Sequence, residues 1–211
     1  MDTRTAHVLL RLPKPPRKTY IRPDKRESKA VTLVAGFRCS DGLVVCADRQ
    51  VSSPDSIKYY EPKITIEYGF GNSILFAYSG LPSLAREARE KILRRLEAVG
   101  FQAETVYEAA DEILTNMGRQ YADVQLQLLI GTVDWPDKPS LLKFDGKGLH
   151  TADNFSLLGV GDSALIHYLI DAMCSPTQSI QEAINLSIYL ASKAKQYIDH
   201  VGGKSTWQQR N

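Results

Sequence analysis

The sequence predicts an α+β domain in four layers, with two antiparallel sheets stacked between pairs of helices. Three observations lead there. Segments of strand character and segments of helical periodicity are segregated, in the order strands, two helices, strands, two helices, strand. That order argues for a layered α+β domain and against alternating βαβ units. Several strands are apolar without interruption, as strands covered on both faces are. Helix pairs on the outer faces of both sheets would supply that cover.

The first strand is Thr32 to Cys39, rich in strand formers. Ser40-Asp41-Gly42 is a turn signal with a glycine available for positive φ. Leu43 to Ala47 is a continuous apolar strand, so the three pieces form a hairpin. Lys63 to Glu67 alternates with period two, Tyr68 to Asn72 holds two glycines and turns, and Ser73 to Tyr78 returns as a second hairpin.

Two helices follow. From Ser83 to Val99, Leu84, Ala88, Ile92 and Leu96 recur every four residues, with Ser83 as N-cap and Gly100 as stop. From Ala103 to Tyr121, Val106, Ala110, Ile113, Leu114 and Met117 mark the buried face.

Val124 to Val133 reads as a central strand, broken by Asp134-Trp135-Pro136-Asp137. Ser140 to Phe144 and Gly148 to Ala152 flank an Asp145-Gly146 turn, and Phe155 to Leu158 leads into Gly159-Val160-Gly161. Ser163 to Cys174 forms one helix. Ser179 to Ile198 forms a longer one, opened by the capping-box pattern Ser179-Ile180-Gln181-Glu182. Gly202-Gly203 ends it, and Ser205 to Gln209 makes a short last strand.

The 211 residues amount to one domain with a full core. At 43% hydrophobic and 24% charged, the composition is that of a globular protein. The net charge of +2 gives no general attraction to polyanions, but it is unevenly placed. Residues 1–31 hold nine Lys/Arg and three acids, a net of +6, which leaves −4 for residues 32–211. Four of the ten prolines also fall in residues 1–31. Many like charges and few apolar residues cannot build a core, so residues 1–31 read as a disordered basic arm or propeptide ahead of the domain at 32–211. A nucleic-acid role needs a folded basic face with stacking aromatics, and the arm offers only Tyr20.

Val8 to Leu10 is too short for a secretory signal core, and no run of about 20 apolar residues predicts a membrane span. Cys39, Cys46 and Cys174 have no CxxC spacing, which predicts three core thiols in a reducing, cytoplasmic setting. His7, His150, His167 and His200 are scattered, so no metal is expected. No phosphate loop, dinucleotide fingerprint or G-x-S-x-G elbow is present, so no cofactor is expected either.

What remains is a pattern at strand ends. Thr32 starts the first strand, Asp48 ends the second, and Lys63 starts the third. Neighbouring strands lie about 4.8 Å apart, so the three are expected to meet at one end of one sheet. A threonine hydroxyl is a weak nucleophile until a base takes its proton, and a lysine cation beside it lowers its effective pKa. Cleavage before Thr32 would free an α-amine of pKa near ~7.7, suited to act as that base.

The run from Thr32 to Arg49 resembles the first two strands of proteasome β-type subunits and their bacterial relatives, with Gly42 at the hairpin turn and Asp48 after the second strand. Lys-Ile-Thr-Ile from Lys63 resembles the family's catalytic-lysine strand, one residue short in spacing. Ser79-Gly80, Val124 to Gly131, and Leu158-Gly159-Val160-Gly161 before a helix also match in order, so the likeness spans Thr32 to Gly203. The resemblance implies an N-terminal-nucleophile hydrolase sandwich of αββα layers. It implies a threonine-type peptidase acting on polypeptides, with Thr32 as nucleophile, Lys63 polarising it, Asp48 anchoring Lys63 and Gly80 donating to the oxyanion. It also implies a homo-oligomeric ring, served by an unfoldase in some relatives.

Other positions depart from the family. Val31 stands where active members have glycine, Val160 where they have serine, and Ile198 and Val201 where they have aspartate and serine. These favour an alternative, a catalytically silent structural or binding subunit. A third reading is amide hydrolysis of a non-peptide substrate on the same fold.

Overall fold

The computed structural model describes residues 32–52, 58–69, 72–121, 126–133, 139–159, 164–198 and 205–210. The basic arm, the Asp134 to Asp137 break and Gly202-Gly203 lie outside them. The chain runs β1 (Leu33–Cys39), β2 (Gly42–Asp48), β3 (Gln50–Ser52), β4 (Lys58–Tyr60), β5 (Ile64–Gly69) and β6 (Asn72–Gly80). Helices α1 (Pro82–Val99) and α2 (Ala103–Gln120) follow. Next come β7 (Leu126–Val133), β8 (Ser140–Phe144), β9 (Leu149–Thr151) and β10 (Phe155–Gly159). The described chain closes with α3 (Ala164–Met173), α4 (Ile180–Tyr197) and β11 (Ser205–Arg210).

Two antiparallel sheets form the centre. One has the order β10-β1-β2-β11 and the other β5-β6-β7-β8-β9. Side-chain alternation sorts the buried residues into three cores. Val34, Leu43, Val45 and Leu158 of the first sheet meet Ile64, Leu75, Leu129 and Leu141 of the second between the sheets. Leu33, Ala35, Phe37 and Val44 point the other way, onto Ile166, Ile170, Ala183 and Leu190 of α3 and α4. Ile74, Phe76, Leu128 and Ile130 pack on Ala88, Ile92, Leu96, Leu114 and Met117 of α1 and α2. The layers are therefore αββα, and β1 and β2 are apolar over Leu33 to Phe37 and Leu43 to Ala47 because both of their faces are covered. Each fully buried Leu, Ile or Phe contributes roughly 1.5–3 kcal/mol.

The β1–β2 hairpin closes through Ser40 and Asp41, with Cys39 opposite Gly42. Its turn is tied to the start of α4, in the helix layer that covers this sheet. Asp41 Oδ1 accepts the Ile180 N–H at 2.8 Å, and Ser40 donates its N–H to the Gln178 carbonyl. The predicted capping box is formed: Ser179 accepts the Glu182 N–H while Glu182 accepts the Ser179 N–H. The second predicted turn is tighter than expected, since Gly69 already pairs with Asn72.

Two details differ from the sequence reading. Helix α1 starts at Pro82, not at Ser83, and Leu81 in the N-cap position gives no side-chain cap. Proline presets the helical φ and lacks an N–H that would need a partner there. A small β3–β4 hairpin, with Gln50 opposite Tyr60, also lies between the first sheet and the second. Its strands of three residues are too short to show a period.

Candidate active site

The site is built where the end of the first sheet faces the start of the second. Register decides it first. Val34 pairs with Ala47, which sets Asp48 opposite Leu33, and β11 places Ser205 on the other side of Asp48. The Leu33 N–H then donates to Asp48 Oδ1 at 2.9 Å, and the Gln50 N–H donates to Oδ2 at 3.2 Å. A carboxylate with both oxygens engaged this way is fixed in orientation.

Lys63 completes the cluster. It does not come from the same sheet, as the strand-end argument had it, but from the residue leading into β5 of the second sheet. The link through β3 and β4 carries the chain across from one sheet to the other. The Lys63 Nζ donates to Thr32 Oγ1 at 2.9 Å, to Asp48 Oδ1 at 3.0 Å, and to the Gln50 carbonyl. Three acceptors meet the three donors of an ammonium. The lysine side chain is 1% exposed and that of Asp48 2%.

Burial shapes the acid–base character of the pair. Loss of water pushes the Lys63 ammonium below the ordinary lysine range, against the stabilising pull of Asp48. The same loss pushes the Asp48 carboxyl up, opposed by Lys63 and by the Leu33 and Gln50 N–H groups. The ammonium, donating to the threonine oxygen, polarises the hydroxyl and eases loss of its proton to a base.

Thr32 itself is buried, immediately ahead of β1. Its main chain packs on Gly159 at the end of β10, which lies opposite Leu33. Gly159 is held by Gln127, whose Oε1 accepts its N–H at 2.7 Å across from the second sheet. The Ser79 Oγ lies 2.8 Å from where a Gly159 Cβ would stand. Gly80, next in sequence, ends β6 opposite Leu126 with φ of 110°. Thr32, Asp48 and Lys63 are thus in direct hydrogen-bonded contact, while Gly80 borders them through Ser79 and Gly159. Gln50 and Gln127 were missed from sequence. Gln127 had a signal, a polar side chain between Leu126 and Leu128 in a central strand. Gln50 acts through its backbone, which no residue type announces.

Among the described residues, no group of three or more His, Cys, Asp or Glu side chains gathers as metal ligands would. No helix there is long and apolar enough to cross a membrane. Cys39 and Cys46 are buried, Cys174 is half-buried, and all three are free.

Two facing sheets between helix pairs, with a lysine–threonine–aspartate cluster at their ends, define an αββα sandwich carrying one polar site. The chain belongs to the proteasome subunit family, whose model matches residues 28–204. Solved structures agree on the fold. The Gly-1 mutant of Anbu from Hyphomicrobium sp. strain MC1 superposes with a TM-score of 0.73 at 14% identity, covering 83% of this chain and 80% of that one. Anbu from Yersinia bercovieri, described as an ancestral beta-subunit, gives 0.72 at 15% identity, with 84% and 81% covered. The Anbu complex from Pseudomonas aeruginosa, described as a helical assembly, gives 0.68 at 14%, with 85% and 81% covered. No curated relative matches the sequence.

Proposed function

We propose that the chain is a proteasome-like threonine peptidase that hydrolyses peptide bonds with Thr32 as an N-terminal nucleophile. The observation that carries the reading is the 2.9 Å hydrogen bond from Lys63 Nζ to Thr32 Oγ1, made by a buried lysine that Asp48 holds in place. Removal of residues 1–31 frees the Thr32 amine. That amine takes the hydroxyl proton as Oγ1 attacks the substrate carbonyl. The Gly80 N–H donates to the oxyanion of the tetrahedral intermediate. The amine then returns the proton to the leaving nitrogen, the C–N bond breaks, and water hydrolyses the resulting ester.

The substrate is a polypeptide, presented by an unfoldase where it is folded, and the working form is a homo-oligomer. The assembly described for Anbu of Pseudomonas aeruginosa supports that state. Tyr168 of α3 and Ile188 of α4, exposed on the outer layer, support it too. Three free cysteines fit the cytoplasm.

A second reading, a silent ring subunit, is favoured by one observation. Ile198, standing where the resemblance implies an aspartate, is partly buried and packs against the apolar core beneath α3 and α4. Intact mass and N-terminal sequencing of the purified protein separate the two. The peptidase requires a species starting at Thr32 that turns over short fluorogenic peptides and loses that activity on Thr32→Ala. A chain that retains residues 1–31 and cleaves nothing is the silent subunit.

A further inference from the structure

The second sheet holds Thr32 in two ways, and the two holds act on different parts of the residue. Lys63 reaches the side chain, donating to Oγ1 at 2.9 Å. Gln127 reaches the main chain through Gly159. Gln127 and Leu129 share one face of β7, and Leu129 belongs to the core between the sheets. Gln127 thus puts a polar side chain at the end of an otherwise apolar inner face. Ser79 stands opposite it on β6.

Gly159 transmits the hold. It ends β10, the edge strand of its sheet, and its N–H donates across the layers to Gln127 Oε1 at 2.7 Å. Its own α-carbon abuts the Thr32 carbonyl oxygen so closely that no Cβ fits between them, and Ser79 Oγ lies 2.8 Å from the same point. The peptide joining Thr32 to Leu33 is therefore fixed at both ends. Its N–H donates to Asp48 Oδ1 at 2.9 Å, and its carbonyl oxygen rests on Gly159.

We propose that Gln127 is a positioning residue: by holding Gly159 against the Thr32 carbonyl, it sets the N–Cα–Cβ–Oγ1 torsion of Thr32. The reaction it serves rests on the Thr32 reading, while the torsion stands apart from it. With Oγ1 pinned by Lys63 and the carbonyl pinned by Gly159, tetrahedral geometry at Cα fixes where the nitrogen points. Direct transfer of the hydroxyl proton to that nitrogen needs the two groups gauche, and an anti torsion separates them. Lys63 alone does not impose this, because a main chain can turn beneath a side chain held only at its tip. A misplacement of about 1 Å between reacting groups can cost about a hundredfold in rate.

The test compares the natural chain with Gln127→Met, which keeps the length and loses the acceptor, and with Gln127→Glu, which keeps an acceptor oxygen at the same reach. The first readout is the Thr32 methyl signal in protein carrying methyl-labelled threonine, assigned by its loss in Thr32→Ala. Its position reports the torsion and needs no turnover. It is expected to move toward the rotamer-averaged value in Gln127→Met and to return in Gln127→Glu. The second readout is hydrolysis of short fluorogenic peptides, where kcat is expected to fall about tenfold or more in Gln127→Met with KM unchanged, and to recover in Gln127→Glu. An unmoved methyl signal in Gln127→Met overturns the proposal. So does a Gln127→Glu chain that behaves like Gln127→Met, or a loss carried by KM with kcat intact. A signal that moves and returns as expected, in a natural chain that cleaves nothing, keeps Gln127 as the residue that sets the torsion and sinks the Thr32 reading. Cleavage by Gln127→Met at the natural kcat keeps Thr32 and sinks the role of Gln127.

Discussion

Gly159 and Thr32 stand backbone against backbone: a Cβ on Gly159 would run into the Thr32 carbonyl oxygen. Gly159 also has φ of 66°, in the left-handed region that glycine adopts freely. Gly159→Ala therefore carries strain and a clash together. It is expected to cost about 3 kcal/mol or more, read as a shift of the denaturation midpoint. Thr32 must move to make room, so peptide turnover should fall with stability.

The neighbouring hydrogen bond from Gly159 to Gln127 is tested more gently. Gln127→Leu keeps the shape and removes the acceptor, leaving a part-buried N–H unmet. A loss of about 1–3 kcal/mol is expected. Because this bond joins the two sheets, hydrogen exchange at Gly159 and Leu33 should quicken in the variant while the α1–α2 layer keeps its protection.

Asp48 and Lys63 are a buried pair, so breaking it from either side strands a charge. Lys63→Met and Asp48→Leu are each expected to cost about 3–5 kcal/mol. The double variant should cost less than the sum, since neither charge is then left alone. Denaturant titration of the four proteins measures this cycle. Retained peptidase activity in either single variant would contradict the proposed roles.

The thiols give a pH dependence with a definite sign. Burial raises Cys39 from 9.0 to about 12 and Cys46 from 9.0 to about 11. In the unfolded chain both ionise near 9.0, while the folded chain keeps its protons. The folded state thus binds more protons above pH 9. Stability from these groups is complete below pH 9 and is lost as pH climbs toward 11 and 12. For Cys46 the slope is at most about 1.4 kcal/mol per pH unit. Melting curves from pH 8 to 11 should fall more steeply for the natural chain than for Cys39→Ala/Cys46→Ala.

Much of the fold was written in local pattern. The β1–β2 hairpin, the α4 capping box and the four-residue spacing of Leu84, Ala88, Ile92 and Leu96 each follow from contacts within a few residues, and each formed as read. The site was legible as residue types but not as architecture. Thr32, Asp48 and Lys63 do meet, yet Lys63 arrives from the opposite sheet. Strand order along a chain does not say which sheet a strand joins. Gln127 acts across layers, on a backbone amide, where no sequence period carries information.

That crossing of layers has a consequence for when the cluster can exist. The first sheet supplies a hydroxyl and a carboxylate, and the second supplies the cation between them. Neither half holds the set alone. A chain whose sheets have not yet closed on each other, or have parted again, carries the same three residues with nothing joining them. The cluster therefore works as an interlock on folding, assembled in the same event that seals the apolar space between the two sheets.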